Sequence, residues 1–155
     1  DPRAAALADR HYNRQKIGAP QFVPPGRCMV LLTANATALW VTSWPFAEYV
    51  KHAWAGAWVC SLFRNEGTIL SSALIRDAVA ATVWRYGPPP PLGFVTFVDA
   101  SKVRSSNPGA CYRKAGWQRV GATAGGLIAL QLPADRISAA TPPLGVTLDM
   151  FSDAP

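Results

Sequence analysis

The run Phe94-Val95-Thr96-Phe97-Val98 constrains this chain more than any other stretch. It is aromatic or β-branched throughout, and it has the length and composition of a buried strand. Gly87 and the prolines Pro88 to Pro91 stand before it and end whatever helix precedes them. Asp99 follows it, a carboxylate at the C-terminal end of a central strand, where α/β sheets open to ligands. Beyond a polar loop, Asn107-Pro108-Gly109 predicts a turn or helix start. A short helical piece, Ala110 to Lys114, then stops at Gly116-Trp117.

The rest of the chain supplies partners for that strand. A short helix is predicted from Ala4 to about Arg10, then a proline-punctuated loop from Gly18 to Gly26. Met29 to Thr33 and Thr37 to Val41 predict two strands around the tight turn Ala34-Asn35-Ala36. An aromatic, irregular insert is expected at about 43–56, and a further strand at Ala57 to Phe63. After Leu70, Ser71 or Ser72 is expected to cap a helix running to about Tyr86. Leu74/Ile75, Ala78/Val79 and Thr82/Val83 form its core face at helical spacing. Gln118 to Gly121 and Leu127 to Leu130 predict a closing hairpin. From about residue 133 a Pro/Ala-rich tail follows, with a late apolar patch at Leu148 to Phe151. The expected fold is α+β (α/β): one domain over 1–155, with a central mixed, mostly antiparallel sheet flanked by helices.

At 155 residues, half of them apolar, the chain can bury a real core. No apolar run reaches membrane-span length, and Asp1-Pro2-Arg3-Ala4 lacks a secretory core, so no membrane partner is expected. Cys28, Cys60 and Cys111 are odd in number and far apart, which predicts reduced cytoplasmic thiols rather than disulfides or a zinc ribbon. A net charge of +6 points to a polyanionic partner.

Cys111-Tyr112-Arg113-Lys114-Ala115-Gly116-Trp117 resembles the "LYEKLGF" segment of the GNAT acyltransferase fold, and the element order agrees. GNAT enzymes cradle the acyl-CoA pyrophosphate on a loop similar to [RQ]-x-x-G-x-[GA]. Here that loop is Arg64-Asn65-Glu66-Gly67-Thr68-Ile69. Ile69 replaces the small residue and Glu66 adds a negative charge, which counts against acetyl-CoA.

Over about residues 8 to 132 the chain resembles a narrower GNAT-fold family, the phage Mom proteins, which hypermodify adenine in DNA. The carriers are Asp9-Arg10-His11-Tyr12, Phe63-Arg64-Asn65-Glu66, Leu70-Ser71-Ser72, Phe97-Val98-Asp99, Arg104 to Gly109, and Tyr112 to Trp117. The resemblance implies a DNA adenine N6-modifying transferase whose product, N6-carbamoylmethyladenine, protects phage DNA from restriction. It implies catalytic positions at His11, Tyr12, Arg64, Asp99 and Tyr112, with Arg64, Ser71 and Ser72 toward the group donor. The donor is not readable from the sequence, and iron is a metal the resemblance raises. The implied partner is double-stranded DNA, the location the host cytoplasm if phage-encoded, with a homodimer as a further expectation.

The residues themselves leave alternatives open. Asp99 either caps its loop or accepts the N6–H of adenine as the new bond forms. Tyr112 is either a core aromatic or the proton donor to a leaving group. Arg64 is either a surface cation beside Glu66 or a bidentate clamp on carboxylate or phosphate. His11-Tyr12 is either helix-end chemistry or a stacking surface for an extruded base with an acid, base or metal ligand beside it. Arg10, Arg14, Lys16, Lys102, Arg104 and Arg113 border these positions as candidate phosphate contacts. The aromatic insert offers a wedge for base flipping or a secondary core. An acyl-CoA-dependent N-acetyltransferase acting on a small amine or protein, and an inactive GNAT-fold binding module, are the competing functions.

Overall fold

The structure, a computed structural model, describes residues 1–12, 14–45, 52–103, 107–137 and 139–143. Its elements are α1 (Pro2–Asp9), β1 (Arg27–Leu32), β2 (Ala38–Trp44), β3 (Trp58–Asn65), α2 (Ser71–Tyr86), β4 (Phe94–Val98), α3 (Ala110–Lys114), β5 (Gln118–Ala122) and β6 (Ile128–Leu132), then a 3-10 turn at Ala134–Arg136. The strands form one six-stranded sheet in the order β1-β2-β3-β4-β6-β5. Every neighbouring pair is antiparallel except β3 and β4, which are parallel and joined through α2. The fold is α+β, a mixed sheet flanked by helices.

β2 is buried along nearly its whole length because helices cover both faces of the sheet. Its alternate residues go to different cores. Leu39 and Val41 pack with Leu62 against Ala4, Leu7 and Ala8 of α1. Trp40 packs with Trp58 and Phe94 against Ile75 and Val79 of α2. Full burial of Leu7, Leu39 or Ile75 contributes roughly 1.5–3 kcal/mol each. Within the second core, Trp58 meets Phe94 edge-on at 5.4 Å, and Trp117 lies 5.7 Å from the same ring. A buried hydrogen bond of 2.9 Å between the Thr42 and Thr82 hydroxyls pins α2 to the sheet.

Two expectations are corrected here. Leu70, not a serine, occupies the α2 N-cap, with no side-chain cap bond. Both serines therefore sit inside the first turn, where the Ser71 hydroxyl accepts from the Asn65 amide at 3.0 Å and Ser72 is buried. The aromatic insert does not begin at Ser43, because β2 continues through Trp44 and that indole packs edge-on against Trp58 at 5.8 Å. Residues 46–51 of the insert, Arg104 to Ser106, and the tail patch Leu148 to Phe151 lie outside the described residues.

Gly93 has a backbone reason to be glycine. Its φ is +66°, and a Cβ there would stand 2.1 Å from the Leu132 carbonyl oxygen. That close approach lets β4 start tight against β6 while the Gly93 carbonyl accepts from Trp58 N–H at 2.9 Å.

The sheet opens in its middle. β3 and β4 pair only over Trp58↔Phe94, Val59↔Val95 and Cys60↔Thr96. Beyond these, β3 follows β2 to Asn65, and β4 follows β6 through Phe97↔Ala129 and Val98↔Ile128. The β2–β3 register steps from Val41↔Leu62 to Thr42↔Cys60, leaving Ser61 as the extra residue of a bulge at the point of parting. Bulges bend the strand that carries them and often lie beside functional sites. No helix among the described residues is long and apolar enough to cross a membrane.

Candidate functional site

Two cavities meet at this gap. The first, about 440 Å³, opens on the face covered by α2 and α3 and is lined by Tyr112, Cys60, Thr96 and the first turns of both helices, Ser71 and Ser72 included. The second, about 470 Å³, is lined by Asp99, His52, Lys102, Val59 and Pro24. Val59, Phe97 and Asp99 alternate with Cys60, Thr96 and Val98, which face α2 and α3, so the second cavity lies on the opposite face of the sheet. Tyr12, Cys60, Ser61 and Phe97 line both.

Tyr112 is 7% exposed, and its hydroxyl lies 3.5 Å from Cys60 Sγ. Burial pushes its pKa well above 10, so it keeps its proton through the physiological range and has that proton to give. Burial also pushes the Cys60 thiol up to about 12 and raises that of Cys111, so neither is a thiolate near neutral pH. The cysteines of the described residues are free thiols.

Asp99 both caps its loop and lines the second cavity. Its Oδ1 accepts from Ser101 N–H at 3.0 Å and from the Ser101 hydroxyl at 2.6 Å, while Oδ2 lies 3.9 Å from Lys102 Nζ. The Ser101 hydroxyl, more than the Lys102 charge, draws its pKa below 3.8, so the group is an anion at neutral pH. Its backbone N–H donates to the Tyr12 hydroxyl at 3.3 Å, and His11 stacks on Tyr12 at 4.5 Å. Residues far apart in sequence, His11-Tyr12, Asp99 and Tyr112, are thereby gathered around one opening.

Arg64 is not among the residues lining either cavity. It pairs with Glu66 at 2.5 Å, and Glu66 also accepts two bonds from Arg10, at 2.7 and 2.8 Å. Arg10 and Arg64 together hold the Glu66 carboxyl at about 2. The free negative charge expected at this loop is therefore neutralised, and Ile69, 52% exposed, does not line the first cavity. Glu66→Gln is expected to release both guanidinium groups and strengthen retention on a polyanionic resin, read by elution at graded salt. Because the folded pKa is depressed, the stabilisation from this cluster is complete above 4.5 and lost as pH falls toward 2. Thermal melts of Glu66→Gln should accordingly lack part of the wild-type slope in that window.

The basic candidates separate. Arg14 serves the fold: its side chain is 6% exposed, pairs with Asp9 at 2.8 Å and donates to the Ala19 and Gln21 carbonyls. Lys16 is exposed and Lys102 lines the Asp99 cavity. Arg113 donates to Asn107 Oδ1 at 2.8 Å and lines a third hollow of about 290 Å³ with Lys114, Arg76 and Arg136. Arg76 and Arg136 were not legible as site residues, since only the packing of α2 on α3 and the turn after β6 brings them there. Arg104 lies outside the described residues.

Sequence reasoning also missed His52, which showed no motif spacing. Its ring lies 4.7 Å from Phe97 and 6.0 Å from Trp54, in the Asp99 cavity. The described residues contain no group of three His, Cys, Asp or Glu able to hold a metal, so iron finds no ligand set among them. Comparison with protein-family models, curated proteins and solved structures finds no match to this chain.

Proposed function

We propose that this protein is a Mom-like, GNAT-fold enzyme that transfers a group to the N6 of adenine in double-stranded DNA, giving N6-carbamoylmethyladenine and protection from restriction. The observation that carries the reading is the pair of chambers joined through the gap between β3 and β4, with Tyr112 lining one and Asp99 the other. A donor and an acceptor that enter from opposite faces of a sheet meet only in such a gap. The single parallel pair, its early parting and the bulge at Ser61 support a GNAT-like reading of the mixed sheet.

The chemistry follows from the groups present. Adenine N6 is a poor nucleophile because its lone pair is delocalised into the ring. Asp99 accepts the N6 proton as the N6–carbon bond forms, and Tyr112 gives its proton to the leaving group as the carbon–leaving-group bond breaks. The first turn of α2, with Ser71 and Ser72, offers backbone N–H groups to an anionic part of the donor. An adenine in duplex must be flipped to reach Asp99, and Tyr12 with His11 offers a stacking face at the opening. Lys16, Lys102 and the basic hollow around Arg113 are suited to backbone phosphates. Arg10 and Arg64 act here as the partners of Glu66.

Nucleoside mass spectrometry of plasmid DNA from expressing cells tests the reading. A fraction of deoxyadenosine is expected to appear as a heavier N6-substituted nucleoside. Unaltered deoxyadenosine in well-expressed protein across several bacterial hosts would sink it.

A second reading, acyl-CoA-dependent N-acetyl transfer to a small amine or protein, is favoured by one observation. Neutralised Glu66 and outward-turned Ile69 leave the loop before α2 more open to a pyrophosphate than the sequence implied. Micromolar acetyl-CoA affinity by calorimetry, with no adenine product, selects it.

A further inference from the structure

The Asp99 chamber contains a group to which no role has yet been given. His52 is half-buried, and its imidazole sits against Phe97 with the ring centroids 4.7 Å apart. The Trp54 backbone N–H donates to His52 Nδ1 at 3.0 Å. Nδ1 is therefore an acceptor, and a neutral imidazole so engaged carries its proton on Nε2. Burial lowers the pKa of this ring from 6.5, which keeps it neutral near pH 7. The chamber thus combines a fixed anionic acceptor, Asp99, with a ring whose remaining nitrogen is a donor.

We propose that His52 reads the extruded base, its Nε2–H donating to adenine N1 while the Asp99 carboxylate accepts from the neighbouring N6 amino group. Acceptor beside donor complements the Watson–Crick edge of adenine, the edge that base-flipping enzymes read. Guanine presents the reverse order, O6 as acceptor and N1–H as donor, so both protein groups would be opposed by their own kind. The Phe97 ring, tilted by 51° to the imidazole, packs against it and limits its rotation. His52 is thus a specificity-determining residue, and this role rests on the adenine-modification reading above.

The test uses wild-type protein, His52→Phe and His52→Gln on duplexes in which the target adenine is replaced by 1-deazaadenine or 7-deazaadenine, with kcat/KM read by mass spectrometry. Wild type is expected to lose about 10- to 100-fold on 1-deazaadenine and little on 7-deazaadenine. His52→Phe should lose a similar factor on ordinary adenine and no longer distinguish it from 1-deazaadenine. His52→Gln, whose amide nitrogen can stand near the Nε2 position, should keep the distinction. A merely structural histidine would lower all substrates equally. Equal wild-type rates on adenine and 1-deazaadenine, or undiminished selectivity in His52→Phe, would overturn the proposal even if adenine is modified. The contact is also tested without turnover, by titrating adenosine and 1-deazaadenosine against the His52 imidazole resonances. A protein that modifies no adenine, yet shifts the Nε2 signal with adenosine only, refutes the reaction and keeps the base site. Identical shifts with both nucleosides refute the base contact.

Discussion

Asp99→Asn is expected to lower adenine modification by about 10²- to 10⁴-fold, the usual scale of a general acid–base group, while fold and duplex affinity hold. The geometry makes this substitution discriminating. Asp99 Oδ1 holds the loop through the Ser101 N–H and hydroxyl, and an asparagine oxygen can accept both bonds. What asparagine cannot supply is the second, anionic oxygen, which lies 3.9 Å from Lys102. Circular dichroism and melting should therefore match wild type. Duplex affinity should stay level or rise slightly, because a negative charge near phosphates is gone. Since the Asp99 pKa is drawn below 3.8, any acid limb that it sets in the wild-type rate profile should fall below pH 3.8. Near wild-type turnover in Asp99→Asn would falsify the catalytic role and leave the residue as a loop cap.

Tyr112→Phe is expected to cost a similar factor, about 10²- to 10⁴-fold, through loss of the proton to the leaving group. Ring packing survives the change: the Tyr112 ring meets Trp117 edge-on at 5.1 Å and Phe63 at 6.2 Å. The hydroxyl contacts to Cys60 and Thr96 are lost, about 1 kcal/mol of stability each. The raised pKa gives a further signature, because a donor that stays protonated well above 10 leaves the wild-type rate without an alkaline limb from this group below that pH. A donor whose leaving group is already a weak base is dispensable. Single-turnover measurements on matched donors would then show Tyr112→Phe close to wild type, which would return the residue to the core.

The local grammar of the chain was legible. The Phe94 run, the prolines before it and the helical spacing through Ile75 and Val79 fix elements whose burial depends on short-range pattern, and the structure has them where expected. The α3 boundaries, Ala110–Lys114, follow from a turn at Gly109 and a stop at Gly116. Misplaced details lay at ends, where one residue more or less of helix or strand is decided by neighbours. Leu70 displaced the serines as cap, and Trp44 stayed in β2 because its indole is packed on Trp58.

The candidate site divides along the same line. Asp99 and Tyr112 could be singled out because each stands at the end or start of an element with a clear signal. His52 and the pairing of Arg10 and Arg64 on Glu66 could not, because they depend on what approaches from elsewhere in the chain. Arg10 and Glu66 are 56 residues apart, and His52 meets Phe97 of β4, an element far along the chain from it. By itself the sequence determined which segments must be strands and helices, since periodicity and burial act over a few residues. Only the tertiary structure decided where the sheet parts, which cavity each side chain lines, and which charges are already neutralised. Those outcomes arise from long-range packing and Coulomb pairing, and no local pattern encodes them.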